Sequence, residues 1–315
     1  PLHSLGKMEK LVIQIAGITG NPDMKIQKRA LVPMCADNGV VEEGVTQTGQ
    51  EVTAIVAENF LSGDTSACVM SRQCGTKVIP VDIGMAVDTK VSKELKVAYG
   101  TANMTKGPAM TRAQAVQALE AGIEMVRRLK EEGYGLLATG EMGIGNTTTS
   151  SAVASVLLDR SVEEMTGRGA GLSGDGLNRK INAIRKAIEV NQPDPKDAIG
   201  VLAKVGGFDI AGMAGAALGV PVVIDGFISC VAALIAQRIC PLAGEYMIAS
   251  HVSKEPAARL ILEALGKEAV IHGEMCLGEG SGAVTLFPFL DMGIAVYDSM
   301  STFEDIHVEQ YEELV

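Results

Sequence analysis

ATGEMGIGNTTTS, residues Ala138–Ser150, follows the apolar run Tyr134-Gly-Leu-Leu-Ala138 and precedes the helix-compatible run Ser150–Leu158. The order is strand, glycine turn, helix. Gly140, Gly143 and Gly145 permit positive φ and close backbone approach. Asn146 and Thr147 carry side-chain oxygens of the kind that cap helices. A helix start with small residues and free N–H groups suits a phosphate or another anion. Glu141 puts a carboxylate into this turn, either as a solvated residue or facing a ribose hydroxyl or a cationic ring. The spacing is not a standard nucleotide fingerprint. The third glycine of GxGxxG is missing, and no lysine follows as GxxxxGK[ST] requires.

Working outward, five more short apolar runs read as strands: Arg29–Ala36, Lys77–Met85, Pro221–Asp225, Tyr246–Ser250 and Glu268–His272. Pro80 interrupts the second of these. With Tyr134–Thr139 that makes about six. Between them lie helical stretches at Glu51–Leu61, Thr65–Cys74, Thr111–Glu131, Asp175–Val190, Lys196–Lys204 and Phe208–Leu218. Strands alternating with helices predict a Rossmann-like α/β fold around a parallel sheet. Continuous hydrophobicity within each run fits strands covered on both faces. Ala86–Thr111 shows no period and reads as a long loop, a feature that is usually functional. The ends, Leu5–Ala16 and Ser281–Met300, read as helices without a neighbouring terminal strand. This predicts a large catalytic domain over residues 27–290 and a small helical domain built from 1–26 and 291–315.

The 315 residues, 47% hydrophobic and 21% charged, describe a globular chain long enough to bury a core without metal or disulfide staples. A formal net charge of −11, 3% aromatics and no Trp argue against nucleic-acid binding. No apolar run reaches the length of a membrane span. PLHSLGKMEK does not read as a signal peptide and has no initiator Met. The six cysteines show no CxxC pair and no zinc spacing, which predicts reduced thiols and a cytoplasmic protein.

Ligands of such sheets bind outside the carboxyl ends of the strands. The residues expected there are Asp37, Asn38 and Gly39; Asp82 and Gly84; Glu141 with its glycine turn; Asp225 and Gly226; Ser250, His251 and Ser253; and Gly278–Gly282 with Glu279. Glu141 and Glu279 each sit in a glycine-rich turn after a strand and can serve as acid and base. Glu279 can equally be a carboxylate that favours a helix N-terminus. Lys180 and Arg179 are the nearest cations, and His251 reads first as a structural histidine. Nothing resembles HExxH or a GxSxG elbow, so neither a metal nor a covalent nucleophile is expected.

Motifs along the chain then carry a resemblance: SLGKME at Ser4–Glu9, ADNGVVEEGVT at Ala36–Thr46, QEVTAIVAENFLSG at Gln50–Gly63 and GEMGIGNTTTS at Gly140–Ser150. They continue with GRGAGL at Gly167–Leu172, GGFDIAGMAGAALG at Gly206–Gly219, VVIDGFIS at Val222–Ser229, SHVSKEP at Ser250–Pro256, LGEGSGA at Leu277–Ala283 and MSTFE at Met300–Glu304. In this order the chain resembles, end to end, the nicotinate-nucleotide–dimethylbenzimidazole phosphoribosyltransferase family of cobalamin nucleotide-loop assembly. The resemblance implies a cofactor-free enzyme that moves phosphoribose from nicotinate mononucleotide to a lower-ligand base, with inversion to an α-ribotide. It makes Glu279 the catalytic base. It brings Glu141, Gly143, Gly145, Asn146, Asp225, Ser253, Gly280 and Asp37 to the substrates, and Lys180 to the donor phosphate. It also places Gln50 and Glu58 on the acceptor pocket.

Where many relatives read ADHG this chain reads ADNG. Gln50 and Glu58 are polar, and Met142 follows the turn glutamate. These departures leave the acceptor open between benzimidazole, purine and phenol. They also leave open whether the protein is a homodimer or pairs with a paralogous subunit. A dinucleotide-dependent dehydrogenase would need the absent GxGxxG. A catalytically silent subunit would not need both Glu141 and Glu279.

Overall fold

A computed structural model describes residues 2–217 and 219–311. Its sheet is parallel throughout and contains Arg29–Ala36 (β1), Lys77–Val78 (β2), Val81–Gly84 (β3), Leu136–Met142 (β4), Val222–Ile224 (β5) and Met247–Ala249 (β6). The order is β2-β1-β4-β5-β6, with β3 also pairing β1. β1 and β4 form the long central ladder, in register from Arg29↔Leu136 to Cys35↔Met142. Every residue of β1 is buried. Ala30, Val32, Met34 and Ala36 enter one apolar core, Leu31 and Cys35 the other. Hence the strand reads as an unbroken apolar run in the sequence.

Helices cover both faces. Arg112–Glu131, Asn146–Leu158, Phe208–Gly215 and Phe227–Ile239 pack into the first core. Lys7–Thr19, Glu51–Ser62, Ser66–Gln73 and Phe287–Ser299 pack into the second. The first and last of these also pack on each other, with Met8 and Val12 against Gly293.

Several boundaries depart from the sequence expectations for physical reasons. Lys77–Met85 is split into β2 and β3 around Pro80, which has no N–H to donate. The third expected strand runs on to Met142, so Gly140 and Glu141 are strand residues held by pairing to β1 rather than turn residues. Glu268–His272 forms no strand; it makes a single parallel bridge, His251↔Ile271. Ser281–Met300 is two helices, Ser281–Thr285 and Phe287–Ser299, with proline in the first turn of the second. Pro288 cannot donate the hydrogen bond that would continue the first helix. Phe208–Leu218 ends as a helix at Gly215, and Leu218 lies outside the described residues, as do the final residues of the 291–315 segment. No helix or strand is assigned between Gly84 and Arg112. The buried Lys96 ammonium pins this loop to Asp82 at 3.1 Å.

Candidate active site

A cavity of about 260 Å³ opens beyond the carboxyl ends of β4, β5 and β6. Four carboxylates face it, from Glu141, Asp225, Glu255 and Glu279, and among the described residues no Lys or Arg lines it. Its apolar wall includes Val56, Met142, Ile144, Phe227 and Leu277.

Glu141 projects from the end of β4. It accepts a hydrogen bond from the Asn146 amide and another, at 3.2 Å, from the backbone N–H of Glu279. Burial pushes its pKa up to about 8, and the neighbouring Asp209 and Asp225 add to the rise. The hydrogen bonds from Asn146 and Glu279 oppose it without overcoming it. The expectation that Asn146 and Thr147 cap the following helix is corrected here. Gly145, at φ +93°, is the cap residue, and no side chain caps the helix. The Asn146 amide is committed to Glu141, and the Thr147 hydroxyl accepts from Lys180.

Glu279 lies in an unusual backbone run: Gly278, Glu279 and Gly280 have φ of +86°, +62° and +90°. A side chain at Gly278 would run into the Glu141 carboxylate, and one at Gly280 into Leu31 and the Thr139 carbonyl. Glycine is therefore required on both sides of the glutamate. The Glu279 carboxylate accepts from the N–H of Ala67, 3.0 Å away, in the first turn of Ser66–Gln73. Both expectations for Glu279 meet here: it faces the cavity and also borders a helix N-terminus.

Asp225, just past β5, has both oxygens on backbone donors: Gly280 N at 3.2 Å and Ala283 N at 3.0 Å. His251 is buried, with Nε2 3.5 Å from Asp225 and Nδ1 without a protein partner. Ser253 lines the cavity, and its hydroxyl accepts from the Glu255 N–H at 3.4 Å.

Lys180 is fully buried behind the glycine loop, not on the cavity wall. Its ammonium donates to Thr147 Oγ1 at 2.9 Å and to the Gly167 carbonyl at 3.1 Å. Burial holds its pKa down at about 8, against the pull of Glu255. Glu255 accepts from the Gly169 N–H at 3.0 Å. Thr147, Gly169 and Glu255 all reach the cavity, so the lysine is one side chain from it.

The structure thus brings Glu141, Gly143, Asn146, Asp225, Ser253 and Glu279 together on one cavity, with Gly145, Gly280 and Lys180 immediately behind. Three expected residues stand elsewhere. Glu58 accepts from the Lys90 N–H at 3.1 Å and pairs with its ammonium at 3.5 Å, anchoring the long loop. Gln50 donates to the Asn38 carbonyl at 3.1 Å. Asp37 accepts from the Ala86 N–H at 2.7 Å. Positions 50 and 58 do share a helical side, but Val56 is the residue of Glu51–Ser62 that reaches the cavity.

Sequence reasoning passed over Glu255 and Asp209. Asp209 is buried with its pKa raised to about 6, chiefly by burial, and contributes to the rise at Glu141. Both lie inside motifs quoted above, SHVSKEP and GGFDIAGMAG. For Asp209 the available signal was an acidic residue in an otherwise apolar, glycine-rich motif; the polar SHVSKEP motif gave none for Glu255.

Among the described residues no group of three or more His, Cys, Asp or Glu side chains is placed to hold a metal ion. No helix there is long and apolar enough to cross a membrane.

A parallel α/β sheet with an acidic cavity at its carboxyl edge is the architecture of a small-molecule enzyme. The family model described as phosphoribosyltransferase matches residues 1–308. A protein of Ruminiclostridium cellulolyticum named nicotinate-nucleotide–dimethylbenzimidazole phosphoribosyltransferase is 50% identical over 100% of this chain and 91% of its own length. A protein of the same name from Acetivibrio thermocellus is 48% identical over 99% of this chain and 91% of its own. The crystal structure of CobT from Thermus thermophilus superposes with a TM-score of 0.92 at 36% identity, covering 99% of this chain and 95% of that one. The chain belongs to this phosphoribosyltransferase family.

Proposed function

We propose that the protein transfers the phosphoribosyl group of nicotinate mononucleotide to 5,6-dimethylbenzimidazole or a closely related base, releasing nicotinate and an α-ribotide for cobamide synthesis. The observation that carries this reading is Glu279: at the cavity its carboxylate accepts from the Ala67 N–H, while its own backbone N–H donates to the Glu141 carboxylate. In the transfer, the bond from C1′ to the nicotinate nitrogen breaks and its electron pair stays on the leaving ring. The unprotonated ring nitrogen of the acceptor bonds to the opposite face of C1′ through its lone pair, and the proton on the other ring nitrogen passes to the Glu279 carboxylate. The pyridinium is already a good leaving group, so the protein need not protonate it. Alignment of the two substrates supplies much of the remaining acceleration. The acidic wall suits a cationic donor ring. The helix start at Asn146, the Gly167–Leu172 loop and Lys180 suit its phosphate. The apolar wall with Val56 and Met142 suits a flat aromatic acceptor. The relatives are named for dimethylbenzimidazole, which supports that acceptor over a phenol.

In this reading residues 27–290 are the catalytic domain, and 1–26 with 291–315 the small domain, to which the helix Lys7–Thr19 and most of Phe287–Ser299 belong. The exposed apolar side chains Leu5, Ile13, Tyr297 and Met300 on that small domain support pairing of two identical chains. The six free thiols suit the cytoplasm. The deciding experiment incubates purified protein and nicotinate mononucleotide with benzimidazoles, purines and phenols, and resolves the products by mass. An α-ribotide of dimethylbenzimidazole is expected. Product from phenols alone, or none from any acceptor, would overturn the reading.

A further inference from the structure

We propose that Asp225 is a positioning residue for the transfer: from the end of β5 it clamps the backbone on the far side of Glu279 and so aims the base. Three consecutive residues with positive φ, one of them a glutamate, do not hold themselves in place, because L side chains disfavour that region. The run needs external restraint, and two buried carboxylates on neighbouring strands supply it. Glu141 accepts the N–H of Glu279, and Asp225 accepts the next N–H, that of Gly280. Asp225 reaches further and accepts from Ala283, tying the turn to the first turn of the short helix behind it.

The clamp is itself clamped. The Asp225 N–H donates to Thr139 Oγ1 at 3.2 Å, His251 stands 3.5 Å away on the other side, and Gly282 has no room for a Cβ between His251 and Asp225. Each carboxylate oxygen accepts a backbone N–H of the 278–283 turn, so Asp225 acts through the position of Glu279. This assignment rests on Glu279 being the base of the proposed transfer.

The test compares wild type with Asp225→Asn, which keeps the shape but replaces one accepting oxygen with a donor that faces a backbone N–H. Turnover is measured with 5,6-dimethylbenzimidazole and with the more acidic 5-nitrobenzimidazole, beside thermal denaturation of each protein. A misaimed base predicts kcat down about 10²-fold with the donor KM within about threefold of wild type. The deficit should shrink by about tenfold with the nitro acceptor, whose proton needs less help to leave. A purely structural role would lower the melting temperature and cut activity equally with both acceptors. A direct substrate contact would raise the donor KM instead. Either result overturns the assignment.

Should Asp225→Asn fail to fold, Thr139→Val, which removes the hydroxyl that holds Asp225, carries the same test with a loss of about fivefold. Wild-type protein without product from any acceptor would instead overturn the transfer reading, and the role of Asp225 with it.

Discussion

Replacing Lys180 by Met should make the unliganded protein slightly more stable and its donor binding much weaker. The ammonium is fully buried and its pKa falls from 10.5 to about 8, with burial the main cause. That depression corresponds to about 3 kcal/mol of destabilisation by the buried charge at neutral pH. The sign follows from proton counting. Between pH 8 and 10.5 the unfolded chain binds more protons at this site than the native one, so native stability rises with pH across that window. Below pH 8 the cost is present in full. Methionine removes the charge but leaves Thr147 Oγ1 and the Gly167 carbonyl without their donor, which costs about 1 kcal/mol each. The net is a gain of about 1 kcal/mol, or about 2 °C in melting temperature for a chain of this size.

With donor present the balance reverses. A charge-assisted contact to phosphate contributes about 1.5–3 kcal/mol, so affinity for nicotinate mononucleotide should fall by about 10–150-fold. The dephosphorylated riboside should lose far less. The assay is calorimetric unfolding at pH 7 and across pH 8–10.5, with and without each ligand. A melting temperature several degrees below wild type, together with equal losses for nucleotide and riboside, would show that Lys180 is a structural lysine and refute the reasoning.

Glu279→Gln should cut turnover of a benzimidazole by roughly 10²–10⁴, the usual contribution of a placed general base, with donor affinity nearly unchanged in equilibrium binding. Near wild-type turnover would remove Glu279 from that role. Glu141, whose pKa is raised to about 8, binds a proton in the native protein between pH 4.5 and 8 that the unfolded chain releases, so its contribution to stability is lost as pH rises through that window. Glu141→Gln should flatten the stability profile between pH 5 and 9, measured by urea unfolding; an unchanged slope would contradict the burial argument. For the acceptor, Val56→Phe should shift the product ratio among 5,6-dimethylbenzimidazole, adenine and p-cresol, whereas Glu58→Gln, whose residue is bound to Lys90 outside the cavity, should not. A reversed pattern, scored by product mass, would put the acceptor on the other side of the Glu51–Ser62 helix.

The architecture was legible in the order of residues along the chain. Strands covered on both faces are largely apolar, so most of β1 and the start of β4 stand out as apolar runs, and the alternation with amphipathic helices leaves a parallel sheet as the arrangement that buries them. The sequence also marked Glu141 and Glu279, because carboxylates among glycines are conspicuous in one dimension. The partner that each polar side chain takes is set by the packing of distant elements. The resemblance implied that Glu58 lines the acceptor pocket, but in the structure the long loop wraps back and pairs it with Lys90. Asn146 looked like a cap, but the extension of β4 brings Glu141 within its reach. Asp225 was expected at the cavity and stands on its wall, and the fold also brings the 278–283 turn onto its two oxygens. Each of these pairings joins residues that stand on different elements or on either side of a turn. Local propensity and periodicity carry information over a few residues along the chain, whereas a buried hydrogen-bonding group takes whichever partner the packed elements deliver to it.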